Sequence, residues 1–119
     1  MPHFVMDCSK RVIELYEEEF VIEQIFLIAQ ATGLFDENDI KVRLNSFETF
    51  SVGNKQEDFI HVFAHIMAGR TTKQRMHLSK CMVRKLVELF PQIPNVAMNV
   101  SEFEKSTYCN RDMMRNVNS

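Results

Sequence analysis

Residues Asp58–Met67 read DFIHVFAHIM, a nearly continuous apolar run that only His61 and His65 interrupt. A run of this length between turn-like segments predicts a buried β-strand. Four residues apart on a helix, the two histidines would suggest a metal site, but on a strand they lie about 13 Å apart. No HExxH motif accompanies them. We therefore expect them to have core or hydrogen-bonded roles.

A helix is predicted directly after this strand. Thr71 and Gln74 have the spacing of a capping box, in which each side chain bonds the backbone of the other residue. The apolar residues that follow mark one helical stripe, formed by Leu78, Met82, Leu86 and Leu89. The spacing predicts a helix from about Thr72 to Phe90, beyond which two prolines block its continuation.

The first part of the chain has the same order of elements. His3–Cys8 is β-favouring and puts alternate apolar residues on one face, which predicts a strand almost at the N-terminus. Ser9 is a candidate N-cap, and the stretch to Thr32 is predicted to form one long helix that ends at Gly33. Its apolar residues at helical intervals include Tyr16, Phe20, Ile25, Phe26 and Ala29.

Two more strands complete the predicted elements. After a turn over Leu34–Asp39, the segment Ile40–Val52 is rich in β-branched and aromatic residues and is predicted to be a strand with a polar face. That face carries Lys41, Arg43, Asn45 and Phe47. Val96–Phe103 alternates as a fourth strand, and a polar tail over 105–119 is expected to be partly disordered or to dock on a neighbour.

These elements form a strand–helix–strand unit that occurs twice, over about 2–52 and 58–104. A crossover between parallel strands is right-handed almost without exception, so both helices can lie on one face of a single sheet. We predict one α+β, two-layer domain over 1–119, with tandem βαβ repeats in a four-stranded mixed sheet and two helices on one face. The other face would carry apolar side chains, which predicts association through the sheets.

Composition limits the functional classes open to the chain. Its 119 residues are 45% apolar and 25% charged, which is ordinary for one globular domain but short for an enclosed pocket of its own. A net charge of −2 offers no basic field for nucleic acid, and no apolar run is long enough to cross a membrane. The opening residues lack the features of a signal peptide, so a cytoplasmic location is expected.

The cysteines predict neither a disulfide framework nor a thiolate metal site. Cys8, Cys81 and Cys109 are odd in number and have no CxxC spacing. A glycine-rich phosphate loop and a nucleophile elbow are also missing from the sequence. We expect buried or free thiols.

Pro2 is the first residue with a candidate chemical role. Proline directly after the initiator methionine normally leads to removal of Met1, which leaves Pro2 with a free secondary amine. Its place at the start of a predicted interior strand would hold this terminus inside the fold. An α-amino group titrates at about 7.7–8.0, and desolvation and nearby cations favour its neutral form. Pro2 could then act as a general base that removes a proton beside a carbonyl or from a dienol and returns it at another carbon.

Three cations are candidates to hold a carboxylate or stabilise developing enolate charge beside such a base. Arg70 ends the third predicted strand, and its loop position should leave the side chain free to reach a crevice. Lys41 and Arg43 share one face of the second strand, and either could supply a second cation. His3 lies beside the proposed base, where it could tune the amine, contact substrate or only fill an interface.

Several fragments occur in the same order and at similar spacing as in a known family. They are Met-Pro-His-Phe-Val-Met-Asp-Cys-Ser at the start, Ala-Thr-Gly-Leu-Phe at 31–35, Ile-Lys-Val-Arg at 40–43, Phe-Ile-His-Val at 59–62 and Ala-Gly-Arg-Thr at 68–71. In this joint order, the chain resembles the 5-carboxymethyl-2-hydroxymuconate isomerases of the tautomerase superfamily over most of its length.

The resemblance implies a homotrimer of double βαβ units with Pro2 as the catalytic base. It also implies that arginines bind the carboxylates of an unsaturated keto acid that has two or three carboxyl groups. By position, Arg70 matches one family arginine, and the segment 40–43 supplies the second cation. The implied partner is a small carboxylate substrate, and no metal or organic cofactor is expected.

The segment 40–43 departs from the family pattern, since Lys41 stands where an arginine is expected and Arg43 follows two residues on. Lysine is a point charge and not a bidentate fork, so affinity or substrate choice can differ. The turn around Gly53 is shorter than in relatives, and the tail over 105–119 does not match.

A function from another class stays open beside the isomerase. Superfamily relatives such as macrophage migration inhibitory factor act on protein partners, so a trimeric binding or signalling protein could keep the fold without the chemistry. Addition of water to a halogenated acrylate would use the same proline, but the sequence shows no group to activate water. A retained Met1 would acylate the nitrogen of Pro2 and abolish its basicity, so the state of Met1 separates these functions.

Overall fold

A four-stranded sheet with helices on one face forms the body of the protein, in a computed structural model that describes residues 1–115. The strands are β1 His3–Ser9, β2 Lys41–Phe47, β3 Phe59–Met67 and β4 Asn95–Phe103. The α-helices are α1 Lys10–Leu15, α2 Glu18–Ala31, α3 Thr72–Leu89 and α4 Arg111–Arg115. Short 3-10 helices lie at Glu37–Asp39 and Lys105–Thr107.

The sheet order β2-β1-β3-β4 puts the N-terminal strand in the interior of the sheet. β1 runs parallel to β2 and antiparallel to β3, while β3 runs parallel to β4. Each half of the chain therefore contributes one βαβ unit, and the two units meet at the antiparallel β1–β3 pair. The predicted two-layer α+β architecture with a mixed sheet is confirmed.

The core lies between the sheet and the helices. Successive strand side chains point to opposite faces, and the even-numbered positions of the two interior strands are the buried ones. These are Phe4, Met6, Cys8, Ile60, Val62, Ala64 and Ile66. The helices cover them with Val12, Val21, Ile25, Ala29, Leu78, Met82 and Leu86. Burial of a large apolar side chain stabilises the fold by about 1.5–3 kcal/mol, so this shared layer holds sheet and helices together.

The first helical segment is two helices, so the prediction of one continuous helix over Ser9–Thr32 is wrong. Tyr16 is extended, with φ −143° and ψ 153°, and ends α1, and α2 begins after Glu17. Tertiary packing accounts for the break, because the Tyr16 ring meets Phe90 edge-on at 5.3 Å and stacks on Phe20 at 5.1 Å. The break also puts a run of glutamates at the N-terminus of α2, where the helix dipole stabilises carboxylates.

Ser9 stands at the N-cap position of α1, but its side chain makes no capping bond. Its hydroxyl instead accepts a hydrogen bond from the Phe59 backbone N–H at 3.3 Å. Ser9 therefore ties the end of β1 to the start of β3, and this long-range bond takes the place of the predicted cap.

The second half of the chain follows its predicted pattern closely. Thr71 Oγ1 accepts from the Gln74 N–H at 3.1 Å, and Gln74 Oε1 accepts from the Thr71 N–H at 2.8 Å. This confirms the capping box, and α3 ends at Leu89, one residue before the predicted end. Within residues 1–115, no helix is both long and apolar enough to cross a membrane.

Strand β2 ends at Phe47, well before the predicted end at Val52. Val52 and Lys55 exchange two backbone hydrogen bonds, of 2.7 and 3.0 Å, around a tight turn. Gly53 and Asn54 both have positive φ, 57° and 62°, the pattern of a type I′ turn that glycine and asparagine adopt most readily. Val52 belongs to this turn and not to β2. The strand-like residue pattern therefore continues in the sequence up to Val52, although the strand ends at Phe47.

The sheet face away from the helices, here called the open face, carries both polar and apolar side chains. By strand alternation its polar residues include His3, Asp7, Lys41, Arg43, Asn45, His61, His65 and Asn99. Its apolar residues are Val5, Phe47, Phe59, Phe63, Met67, Ala97 and Phe103. Val5 pairs with Phe63 on the neighbouring strand and forms an apolar patch in the middle of this face. The predicted apolar side chains are therefore present on this face, interspersed with polar ones, and the Val5–Phe63 patch is the part of it at the centre of the sheet.

The tail packs in part against its own sheet. The Tyr108 ring stacks on Phe103 at the end of β4, with 5.6 Å between centroids. Met113 and Met114, in α4, are exposed. The predicted disorder or docking of the tail also concerns 116–119, which lie outside the described residues.

Candidate active site

The start of the chain is held inside the fold. His3, the first residue of β1, pairs with Lys41 of β2 on one side and with His65 of β3 on the other. Pro2 is buried, and its carbonyl accepts a hydrogen bond from the Lys41 backbone N–H at 3.0 Å. Pro2 is thus anchored at an interior strand, as the sequence predicts.

The surroundings of the terminal amine favour its neutral form. Burial lowers the pKa of the Met1 α-amino group below its ordinary value of 8.0. Asp39 acts in the opposite direction, while the charges of Arg70 and Lys41 lower the pKa further. An ammonium ion near two cations loses its proton more readily, because deprotonation relieves the repulsion. The structure therefore brings Arg70 and Lys41 to the same end of β1 as Pro2.

Arg70 links the start of α3 to the loop after α2. It follows Gly69, whose φ of 131° is a conformation that side-chain-bearing residues rarely adopt. The guanidinium donates to the Leu34 carbonyl at 2.6 Å and to the Met67 carbonyl at 3.5 Å, and it lies 4.9 Å from the Phe35 ring centroid. The expectation of a free side chain is wrong, because backbone carbonyls hold it. A guanidinium has five N–H donors, so donors remain for a ligand.

Lys41 and Arg43 lie in different surroundings, although they share a strand. The Lys41 ammonium contacts the Met1 sulfur and donates to the Asp39 carbonyl at 3.2 Å, which keeps it near the terminus. Arg43 Nη1 lies 3.1 Å from His3 Nδ1, further along the open face. Of these two side chains, Lys41 is therefore the one near the terminal amine, whereas Arg43 pairs with His3.

His3 is the acceptor in this pair. Burial lowers the pKa of His3, and the charges of Arg43, Lys41 and His65 lower it further. A neutral imidazole has one acceptor nitrogen, whereas a guanidinium can only donate. The 3.1 Å contact is therefore a hydrogen bond from Arg43 to Nδ1 of a neutral His3.

The remaining candidates have structural surroundings. His61 Nε2 donates to Asn99 Oδ1 at 2.6 Å, and its ring stacks on Phe63, so the predicted hydrogen-bonded role is confirmed for His61. The same prediction is wrong for His65, which is exposed and makes no hydrogen bond within residues 1–115. Burial raises the pKa of the Cys8 thiol to about 12, which excludes a thiolate nucleophile there. All three cysteines are free. The described part of the chain contains no group of three or more His, Cys, Asp or Glu side chains that could hold a metal ion.

Sequence reasoning missed three residues around His3 and Arg43. His65 lies across from His3 on the neighbouring strand. Together with Phe103 and Tyr108, the side chains of His3, Arg43 and His65 line a cavity of about 320 Å³. The strand period does signal His65, because odd positions of β1 and β3 share one face. No periodic pattern signals Tyr108, which comes from the tail.

A family model for 5-carboxymethyl-2-hydroxymuconate isomerase matches residues 2–116. The chain belongs to this family. Within it, the 5-carboxymethyl-2-hydroxymuconate Delta-isomerase of Escherichia coli is 24% identical to this isomerase over 106 residues, which cover 87% of this chain and 84% of that protein. Family membership makes the chain an isomerase of the tautomerase type, as the fragment order predicts.

Solved structures share the fold of this isomerase at low sequence identity. A 5-carboxymethyl-2-hydroxymuconate isomerase from Deinococcus radiodurans R1 has a TM-score of 0.79 and 18% identity, and the match covers 92% of this chain and 88% of that chain. A fused 4-OT wild type symmetric trimer has a TM-score of 0.77 and 9% identity, with 92% of each chain covered. The tautomerase fold is therefore shown independently of the family match.

Proposed function

We propose that this isomerase shifts a proton in an unsaturated 2-hydroxy or 2-keto carboxylic acid, with the Pro2 amine as general base. The observation that carries the proposal is the burial of Pro2 at the start of interior strand β1, where its carbonyl accepts a hydrogen bond from the Lys41 N–H at 3.0 Å. Burial lowers the pKa of the Met1 α-amino group, one residue before it, and the charges of Arg70 and Lys41 lower it further, so we expect the same surroundings to favour a neutral Pro2 amine once Met1 is removed. A substrate like that of the 5-carboxymethyl-2-hydroxymuconate isomerases follows from the family. The resemblance and the electrostatics therefore support the same reaction.

In the proposed reaction, the Pro2 nitrogen takes the proton of the 2-hydroxyl group of a dienol and returns it to a carbon of the conjugated chain. One O–H bond breaks and one C–H bond forms, and the nitrogen is both base and acid. Negative charge develops on the substrate oxygen between the two steps, which calls for a fixed cation. Lys41 and the remaining donors of Arg70 would supply it. The reaction needs no metal or organic cofactor.

We also infer that the active form is a homotrimer. The fused 4-OT neighbour is described as a symmetric trimer. The Val5–Phe63 patch on the open face would be covered by a second copy, and a single chain of this size is short for an enclosed pocket. A pocket shared between copies would exclude water from the amine and so support its lowered pKa.

Enol-to-keto conversion of 2-hydroxymuconate and of phenylenolpyruvate tests the proposal. Pro2→Ala keeps an N-terminal amine but makes it primary, and kcat/KM should fall, since a positioned general base contributes roughly 10²–10⁴-fold. Pro91→Ala, at an exposed position after α3, is the matched control and should keep the wild-type value. Unchanged activity in Pro2→Ala removes Pro2 as the base. An inactive wild type rejects the proposal for these substrates.

One observation favours a non-catalytic trimeric binding or signalling protein. Arg70 is already held by the carbonyls of Leu34 and Met67, as a structural arginine would be. Intact mass separates the two functions. A chain that keeps Met1 has an acylated proline nitrogen without basicity, whereas loss of Met1 together with turnover supports the isomerase.

A further inference from the structure

Apolar side chains are exposed along the outer surface of α2, on the side of the molecule opposite the open face. Nine of the 14 residues of this helix are apolar, while those that it buries in the core are Val21, Ile25 and Ala29. A helix that is apolar on all sides is normally buried on all sides. Phe20 and Leu27 are nevertheless 38% and 44% exposed. The outer surface of α2 is therefore more apolar than a solvated helix surface normally is.

These exposed side chains lie on one stripe. Phe20 and Leu27 are seven residues apart, which places them on the same side of the helix and about 10 Å apart along its axis. The Tyr16 ring stacks on the Phe20 ring with 5.1 Å between centroids, and Leu15 beside it is also exposed. We call the surface of Leu15, Tyr16, Phe20 and Leu27 the α2 ridge. Exposed apolar side chains that cluster within a polar rim are typical of a protein interaction site.

A cavity lies at the Leu15 end of the α2 ridge, where α1 and α3 both end. It has a volume of about 310 Å³ and is lined by Leu15, Tyr16, Leu89, Phe90, Pro91 and Gln92. The Tyr16 ring meets the Phe90 ring edge-on at 5.3 Å, so one wall of the cavity continues into the ridge. Anchor side chains that fill well-packed pockets dominate the energy of many interfaces. The cavity is therefore suited to one apolar anchor of a partner.

Carboxylates flank the α2 ridge, and they belong to Glu14, Glu17, Glu18, Glu19 and Glu23. The helix dipole stabilises Glu18 and Glu19 in the first turn of α2, but Glu23 lies beyond that turn. Glu19 and Glu23 are four residues apart on one helix, where like charges repel and destabilise the helix. Among residues 1–115, none of these five carboxylates takes part in a salt bridge. A cation brought by a partner would relieve the repulsion.

The outer surface of α3 differs in both respects. Its exposed large apolar side chains are Met76 and Val87, about three turns apart, and the exposed cations Lys80 and Arg84 lie between them in the sequence. The stems of long cationic side chains can cover apolar surface while their charged ends stay in water. An apolar stripe together with carboxylates outside salt bridges therefore distinguishes α2 from α3.

We propose that the α2 ridge and the cavity at its end bind a short amphipathic helix that carries lysine or arginine beside its apolar face. From Tyr16 to Leu27 the ridge is about 15 Å long, which matches about three turns of a partner helix. Such a helix places apolar residues at positions i, i+3, i+4 and i+7 in a groove of its partner. One of them fills the cavity, and the cations face Glu19 and Glu23. Association of copies through the open face leaves this surface accessible.

Three synthetic peptides of about 15 residues test the proposal. The first has leucine at helical spacing and lysine elsewhere, the second has glutamate in place of lysine, and the third has the composition of the first but no apolar face. Each carries a fluorophore, and anisotropy gives its Kd for the wild-type protein at concentrations where the peptide is monomeric. The first peptide should bind roughly tenfold more tightly than the others, because it alone offers both an apolar face and cations.

Matched variants locate the binding on α2. Phe20→Ala removes the centre of the ridge and should raise the Kd of the first peptide roughly tenfold, whereas Met76→Ala, an exposed apolar position of α3, should change it by less than about twofold. Glu23→Gln should raise the Kd at low salt and reduce its dependence on salt, and Glu104→Gln after β4 is the control. Circular dichroism verifies folding, and if Phe20→Ala does not fold, Leu27→Ala replaces it.

The proposal is overturned if the first peptide does not bind the wild-type protein, if the glutamate peptide binds as tightly, or if the ridge substitutions leave the Kd unchanged. Vesicles of phosphatidylcholine, with and without phosphatidylserine, test a different occupant. Vesicle binding that Phe20→Ala abolishes would make the ridge a membrane surface and would also overturn the proposal. The catalytic role of Pro2 has no bearing on these outcomes, because the peptides are not substrates.

Discussion

The charge of Lys41 acts on the α-amino group at the start of the chain. Burial lowers the pKa of the Met1 α-amino group, and the Lys41 ammonium, held at the chain start by the Asp39 carbonyl, lowers it further. We expect the same effect on the Pro2 amine once Met1 is removed. A base with a lowered pKa is deprotonated over more of the neutral range. Lys41 would therefore have two effects in the proposed reaction, since it attracts the substrate carboxylate and keeps the base neutral.

Replacement of Lys41 should move the pH profile of the enzyme. In wild type, kcat/KM should rise with pH as the Pro2 amine loses its proton, and it should level off above the pKa of that amine. Lys41→Gln removes a neighbouring cation, so the pKa of the base rises and the ascending limb moves to higher pH. Lys41→Arg should keep the wild-type limb, and Lys80→Gln on exposed α3 is the control. A limb that stays in place in Lys41→Gln contradicts the coupling.

The sequence predicts those site residues whose positions follow from the order of the strands. It does not predict the site contacts between residues that are far apart in the sequence. Pro2 and Lys41 are neighbours because β1 and β2 are adjacent parallel strands, which the sequence indicates. The tether of Arg70 to Leu34 joins residues 36 positions apart, and no local pattern announces it. Tyr108 reaches the open face from a tail without periodicity.

At the scale of the elements, capping residues and apolar periodicity predict a helix correctly where no side chain of a distant element changes its backbone. The Thr71 capping box and the stripe that begins at Leu78 predict α3 nearly to the residue. The first helix fails because its apolar pattern continues through Tyr16, while the contact of Tyr16 with Phe90 imposes an extended residue there. Side-chain packing from a distant element therefore overrides helical periodicity.

Removal of the capping box should weaken α3 measurably. Thr71→Ala leaves the Gln74 N–H without its side-chain partner, and the free energy of unfolding should fall by about 1 kcal/mol. Lys73→Ala, an exposed position in the same turn, is the control and should change stability by less than half as much. Urea denaturation of the three proteins gives the comparison, and equal stabilities of Thr71→Ala and wild type would refute a stabilising cap.

At the scale of the whole molecule, the helices cover one face of the sheet and leave the open face without cover. The polar residues of that face can remain solvated, but Val5 and Phe63 form an apolar patch at its centre. Association through this patch would bury apolar surface and bring the Pro2 ends of several copies near one another. The proposed association of copies through the Val5–Phe63 patch and the proposed pocket between copies therefore depend on the same interface.

A charge placed in the Val5–Phe63 patch should prevent assembly. Wild type is expected at three times the 14.0 kDa of one chain by native mass spectrometry. Phe63→Glu should shift the population to the single-chain mass, because burial of an unpaired carboxylate is strongly unfavourable. Leu27→Glu, on the helical side and 44% exposed, is the matched control and should remain assembled. An intact trimer in Phe63→Glu would rule out this patch as the interface.

The most direct test of the catalytic proposal compares two forms of the same chain. One form has lost Met1, as verified by intact mass, and the other is produced under inhibition of methionine aminopeptidase so that Met1 stays attached to Pro2. The measured quantity is kcat/KM for the ketonisation of 2-hydroxymuconate. If the free secondary amine is the base, the blocked form should be lower by roughly 10²–10⁴-fold. Equal kcat/KM for the two forms would contradict the account.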